Sequence, residues 1–318
     1  MLNDLIKFTI NKEIVLIEPH RQLLPMKANE ENKKEFVFIN VNKIWALIPL
    51  THQFKLKYTI MYLILNIIKP RYILSINWLS RRTSLYKVWT KNKVNSQFVV
   101  VQHGSYVGGA VTRSDHRFTK CDVFLTWGPY FKRLFEDYNK GKKVKIVSFG
   151  NPVFNLYDRY KFNYKEVSQF NKKVLLLPTY LKGDDIDHFN DLLKKLANIE
   201  CDFDIKMHSK QKIEEMPFNW RVIERNVYDL LQSEKYDIVI SDKSTALLDA
   251  IHFKNRVLMF SPLETSCQTE YGRYLSNTFY QFHGWNTIDD LFNSVRIEAQ
   301  EKLYNTFVER GDNSLKKI

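Results

Sequence analysis

Short apolar runs recur along the first half of this chain, each separated from the next by an amphipathic stretch. Ile14–Ile17, Phe36–Ile39, Tyr72–Ile76, Phe98–Val101, Asp122–Thr126 and Val144–Phe149 read as short strands, several of them continuous β-branched or aromatic runs of the kind buried on both faces. Apolar residues at helical spacing between them predict helices over 55–68, 84–92 and 129–139. Strands alternating with helices call for a parallel sheet, because parallel neighbours need a crossover connection.

From Gly150 to Lys173 the pattern lapses into polar and aromatic residues without a period, opened by Asn151-Pro152. The alternation then restarts. Strands are expected at Val174–Leu177, Phe203–Met207, Arg221–Ile223, Asp237–Ile240 and Val257–Phe260, with helices over 185–197, 227–233 and 244–252 and a helical tail from 286. The expected fold is therefore α/β with two Rossmann-like domains facing each other across a cleft. Their bounds are 1–150 and 173–318, with a linker over 151–172.

Charge separates the two halves. Residues 1–150 carry 25 Lys+Arg against 10 Asp+Glu, and residues 151–318 carry 23 against 25, so the whole excess of positive charge lies in the first half. That asymmetry points the first half toward something anionic, whether nucleic acid, a membrane surface or an acidic substrate. Cys121, Cys201 and Cys267 are too far apart in sequence for a disulfide framework or a zinc site. The start, Met1-Leu2-Asn3-Asp4, lacks the basic and apolar regions of a signal peptide, and the longest apolar stretch, Tyr58 to Ile68, is too short to cross a bilayer. A soluble protein of the cytoplasm is expected.

Candidate chemistry gathers where strands end. Phe98–Val101 runs into Gln102-His103-Gly104, with Gly108-Gly109 beyond. Glycine there lets backbone N–H groups approach an anion, and the histidine can take or give a proton near neutral pH. A glycine-rich turn with a structural histidine is the plainer alternative. In the second half, Leu177 leads into Pro178-Thr179, and Ile205 into Lys206-Met207-His208. Ile240 is followed by Ser241-Asp242-Lys243-Ser244-Thr245 at the start of a helix, where Ser241 or Asp242 can cap and the free N–H groups can hold phosphate. The patterns Gly-x-Gly-x-x-Gly, P-loop and Gly-x-Ser-x-Gly are absent.

Taken in order, these segments resemble the GT-B transferases that build bacterial surface polysaccharides. The resemblance spans roughly 97–262 and is closest to the CDP-glycerol glycerophosphotransferase-like group and the Kdo-transferase-like lipopolysaccharide and capsule glycosyltransferases. It rests on Gln102-His103-Gly104, Leu125-Thr126-Trp127-Gly128, Gly150-Asn151-Pro152, Leu175 to Thr179, Lys206-Met207-His208 and Ser241 to Thr245. Two positions depart from the first group: Gln102 stands where it has tryptophan, and Ser209 where it has proline after the histidine.

The resemblance implies a nucleotide-activated donor of CMP or CDP type on the second half and an anionic, lipid-linked acceptor on the first, with no metal and no other cofactor. His103 would lie nearest the reacting centre, with Asp115 or His116 as its partner or as the base itself. Gly104, Pro178, Thr179, Lys206, His208, Ser241, Ser244 and Thr245 would bind the donor. Sugar transfer to a lipopolysaccharide or capsule acceptor at the inner face of the membrane is the expected function. Polyol-phosphate transfer, nucleotide-sugar epimerisation and nucleic-acid binding are the alternatives.

Overall fold

The structure of the protein, a computed structural model, describes residues 13–18, 23, 26–27, 29–48, 54–76, 80–102, 120–156, 172–178, 181, 183–208, 211, 222–233, 236–242, 246–253, 256–260, 277–279 and 284–308. The chain forms two compact units.

The first unit is built on strands β1 (Glu13–Ile17), β2 (Phe36–Asn40), β3 (Tyr72–Ser75), β4 (Gln97–Val101), β5 (Val123–Thr126) and β6 (Lys145–Ser148). They form one parallel sheet in the order β2-β1-β3-β4-β5-β6. Successive side chains of a strand point to opposite faces, and both faces are covered here. Val15, Ile17, Leu74, Val99, Val101, Val123 and Leu125 share one apolar cluster with Leu23, Met26 and Phe149. Phe98 and Phe124, from the alternate positions, meet the rings of Tyr86 and Phe135 at 5.8 and 4.5 Å. The continuous apolar runs in the sequence are thus a consequence of double-sided burial.

Helices α1 (Glu30–Glu35), α2 (Val41–Leu47), α3 (Phe54–Ile68), α4 (Arg81–Lys91) and α5 (Pro129–Tyr138) accompany this sheet. The apolar pattern predicts α3 and α5 closely, and α4 three residues short at its start. Ser80 sets that start, its Oγ accepting from Thr83 N at 3.2 Å. It gives no sign of α1 or α2. Asparagines open both: Asn29 Oδ1 accepts from the amides of Glu31 and Asn32, and Asn40 Oδ1 from that of Asn42.

The second unit carries β7 (Lys173–Leu177), β8 (Asp202–Ile205), β9 (Ile238–Ser241) and β10 (Val257–Met259), parallel and in the order β10-β9-β7-β8. Its helices are α6 (Asp184–Asn198), α7 (Val227–Gln232), α8 (Ala246–Phe253), α9 (Ile288–Asn293) and α10 (Ile297–Phe307). Val174, Leu176, Ile238, Ile240 and Leu258 pack against Phe189, Leu192, Leu193 and Leu196 of α6 and against Leu291 and Phe292 of α9. The strand expected at Arg221–Ile223 reduces to a single parallel bridge between Val222 and Ile205.

Polar side chains finish this sheet at its margins. Lys173 Nζ lies 2.6 Å from Asp202 Oδ2 and 3.5 Å from Asp204 Oδ2, and Tyr236 Oη donates to the buried Asp204 carboxylate at 2.6 Å. Partial burial would lower the proton affinity of Lys173. The Asp202 hydrogen bond and the two carboxylate charges outweigh it and raise that affinity. Gln300 of α10, fully buried, receives Val257 N on its Oε1 at 3.2 Å and donates from Nε2 to Val257 O at 2.5 Å. One side chain thereby satisfies both outward backbone groups of Val257 in the strand β10.

The last residues of α10 belong to the first unit. Phe307 stacks edge-on against Tyr130 at 4.5 Å and lies 6.1 Å from Phe131. Gly128 makes this approach possible, because a Cβ there would sit 2.4 Å from the Phe307 carbonyl oxygen. The stretch read as the opening of a linker is also core of the first unit: Asn151, Val153 and Phe154 are buried, with Phe154 6.4 Å from Trp127.

Candidate functional site

Every strand of a parallel sheet ends at the same edge, and ligands favour the point where the strand order reverses direction. In the first unit the chain passes from β1 outward to β2 and then returns to the other side of β1 with β3. The switch point therefore lies between the carboxyl ends of β1 and β3. Glu18 and Ser75 meet there. Ser75 Oγ donates to Glu18 Oε2 at 2.5 Å, and Glu18 N donates to Leu74 O at 3.1 Å. Ser75 is buried and Glu18 half-buried. Burial pushes the Glu18 carboxyl above the ordinary carboxylate range. The Ser75 hydrogen bond, the Arg82 charge and the Ile76 backbone oppose that shift without cancelling it.

Glu18 escaped the sequence reading because it stands alone, without a glycine loop around it. The available signal was a carboxylate placed directly after an apolar strand and followed by Pro19-His20-Arg21.

Two strands further along the same edge, Gln102 closes β4. It is fully buried and its amide N donates to Leu125 O at 2.9 Å. Its Oε1 receives Trp127 N at 2.9 Å, and its carbonyl receives Trp127 Nε1 at 2.7 Å. The residue that leads into His103 is thus held by three hydrogen bonds to the end of β5. His103 itself, with Gly104, Asp115 and His116, lies outside the described residues.

The second unit repeats the arrangement. Its chain passes from β7 to β8 and returns on the other side with β9, so its switch point lies between β7 and β9. Ser241 sits at that point, fully buried, and its Oγ donates to Leu177 O at 2.6 Å. This hydroxyl ties together the two strand ends from which the Pro178 and Asp242 loops depart. Pro178 is buried, Lys206 half-buried and His208 exposed.

Lys206 N donates to Leu176 O at 2.9 Å, which prolongs the β7–β8 pairing. Gln211, which the sequence did not single out, receives Leu181 N on its Oε1 at 3.0 Å, and its own amide donates to His208 O at 2.9 Å. It braces the loop after β8 against the loop after β7. The structure therefore brings Pro178, Lys206, His208 and Ser241 to one edge of one sheet. Thr179, Ser244 and Thr245 lie outside the described residues. Among the described residues, no group of three or more His, Cys, Asp or Glu side chains is placed to hold a metal ion.

No family model and no curated protein matches this chain. Solved structures do. The S. aureus MnaA–UDP complex is 14% identical over 95% of this chain and 93% of its own, with a TM-score of 0.58. The UDP-GlcNAc 2-epimerase of Neisseria meningitidis bound to UDP-GlcNAc is 14% identical over 93% and 94%, with a TM-score of 0.54. A glycosyltransferase of Rickettsia africae is 12% identical over 94% and 95%, with a TM-score of 0.51. These likenesses show the fold. The chain is an α/β protein of the GT-B type, with two Rossmann-like domains.

Proposed function

We propose that this protein is a nucleotide-sugar-dependent glycosyltransferase. It moves a sugar from a CMP- or CDP-type donor to an anionic, lipid-linked surface-polysaccharide acceptor, at the cytoplasmic face of the inner membrane. The observation that carries the reading is the convergence of Pro178, Lys206, His208 and Ser241 on the carboxyl edge of one parallel sheet. That is where a GT-B protein holds a nucleotide by the resemblance above, and where α/β sheets in general bind ligands.

Lys206, His208 and the hydroxyls of Thr179, Ser244 and Thr245 would neutralise the donor phosphates and stabilise the departing nucleotide without calling on a metal. The acceptor oxygen forms its bond to the anomeric carbon as the bond from that carbon to the phosphate oxygen breaks. The nucleotide leaves with the electron pair, and the acceptor proton passes to a base. His103, with Asp115 or His116 downstream of the glycine loop, is one candidate for that base or for the group orienting the hydroxyl. Glu18 is the other: a half-buried carboxyl with raised proton affinity, placed at a switch point, suits a group that takes a proton and hands it on. The excess positive charge of residues 1–150 supports an anionic acceptor on the first half.

Calorimetric titration with CMP, CDP, UDP, GDP and ADP, with and without magnesium, tests the donor site. Selective, metal-independent binding of a cytidine nucleotide is expected, and silence toward all five would overturn the reading. An epimerase reading also has support, since solved structures of similar fold include UDP-GlcNAc 2-epimerases. Incubating the nucleotide sugar alone separates the two, because an epimerase isomerises it without an acceptor.

A further inference from the structure

The amino edge of the first sheet, opposite the strand ends discussed above, carries part of the excess positive charge of residues 1–150 in a fixed spatial pattern. Lys69 precedes β3, Lys93 precedes β4, Lys120 precedes β5, and Lys142 with Lys143 precedes β6. These four strands are consecutive neighbours in the sheet. The lysines therefore form one continuous row across it, about 15 Å wide at the usual strand spacing. All five are exposed.

The turn Lys93-Val94-Asn95-Ser96 projects from the middle of the row, with a groove on either side. One groove is lined by Lys69, Arg71, Lys93 and Val94. The other is lined by Val88, Lys93, Val94, Lys120, Lys142 and Lys143. Among the described residues a single carboxylate lines each groove, and each has a cation beside it: Glu13 lies 3.7 Å from Arg71, and Asp122 pairs with Lys87. The surface is therefore strongly cationic.

It is also apolar in an unusual way. Val94, at the apex of the turn, is 101% exposed. Val88 of α4 and Ile67 at the end of α3 are 57% and 62% exposed, and Leu63 lies one turn before Ile67 on the same side of α3. Among the described residues, the large apolar side chains left in water are all aliphatic. A single-stranded nucleic acid asks for aromatic platforms on which bases stack. Aliphatic side chains standing among lysines match instead a bilayer with anionic headgroups, where apolar groups enter the interface and lysines meet phosphate. No helix among the described residues is long and apolar enough to cross a membrane.

We infer that the amino edge of the first sheet is a docking surface for an anionic lipid bilayer, with the Lys93–Ser96 turn as its point of insertion. The inference shares with the transferase reading an acceptor carried by the membrane, but its test uses neither donor nor acceptor. Purified full-length protein is sedimented with vesicles of phosphatidylcholine alone, or with about one-third phosphatidylglycerol, at low salt and at about 0.5 M salt, where the screening length is only a few ångströms.

Sedimentation with the anionic vesicles alone, largely lost at high salt, is the expected result. K120E/K143E should weaken that binding at least about tenfold, since each lysine near an anionic surface contributes roughly a fivefold factor. V94D should weaken it without removing a cation. All these sites are exposed, and an unchanged melting temperature verifies folding. Equal sedimentation of wild type and both variants, or binding to RNA that excludes vesicles, would overturn the inference. Donor affinity is measured separately, so a failure of the transferase reading leaves a positive vesicle result standing.

Discussion

Gln102 and Trp127 are joined twice, through the Gln102 side-chain oxygen and through its backbone carbonyl, at 2.9 and 2.7 Å. Both residues are fully buried. The pair fastens the carboxyl end of β4 to that of β5 just before the chain enters the histidine–glycine segment. Gln102→Ala leaves the buried Trp127 amide without its acceptor, at a cost of about 1–3 kcal/mol. Urea unfolding should show that loss. If transfer depends on His103, turnover should fall by more than the fraction unfolded.

Glu18 gives a prediction that joins stability to pH. Its native proton affinity is raised, so over the interval from its unfolded value up to its native one the folded protein holds more protons than the unfolded. Stability contributed by this group is therefore full below that interval and falls as pH rises through it. Glu18→Gln removes the dependence, and the variant should be at least as stable as the parent at neutral pH. Transfer should nevertheless drop by about 10²-fold or more if Glu18 is the base. Ser75→Ala removes a contact that restrains the shift, so the acidic limb of the pH–rate profile should move upward. A purely structural Glu18 would leave that limb where it is.

Gly128 is needed for space and not for its backbone angles, its φ of −171° being open to any residue. Gly128→Ala drives a methyl group into the Phe307 carbonyl. Overpacking of this kind costs about 1–3 kcal/mol. Hydrogen exchange should show fraying concentrated in the last turn of α10, with the amides of β7–β9 unaffected.

Gln300 is the corresponding test in the second unit. Gln300→Ala exposes no new surface but leaves the amide and carbonyl of Val257 unmatched in a buried setting. A loss of about 1–3 kcal/mol is expected. Faster exchange of the Val257 amide should report it directly. Gln300→Glu sets a carboxylate oxygen against the Val257 carbonyl in the same buried setting and should not recover the loss.

The sheets were legible in the sequence because double-sided burial writes itself as unbroken runs such as Phe98–Val101 and Val174–Leu177. The short helices were not. Glu30–Glu35 has no apolar period and depends on one asparagine cap, and Val41–Leu47 reads as a continuation of the β-branched run before it.

For the site, the strand-end histidines and hydroxyls stood out, since loops after parallel strands are where chemistry is found. What the sequence hid was pairing across the sheet. Nothing local to Ser241 shows that its hydroxyl reaches Leu177, 64 residues earlier. Glu18 is unremarkable until Ser75 arrives beside it from 57 residues away. Gln211 and Gln300 carry no local signal, because each acts on a backbone group far along the chain.

The strands of the first sheet also fix a length. β4 has the Lys93–Ser96 turn at one end and Gln102 at the other, with five residues between, or about 15 Å of extended chain. With the lysine row resting on a bilayer, as inferred above, the opposite lip would stand that far from its surface. If the acceptor is lipid-linked as proposed, a sugar attached directly to a lipid headgroup would fall short of it, and the tip of a partly built glycan would reach. The sheet would then serve as a ruler that admits elongating chains and passes over newly primed ones, so soluble acceptors of graded length should be used equally while the same series anchored in vesicles shows a threshold.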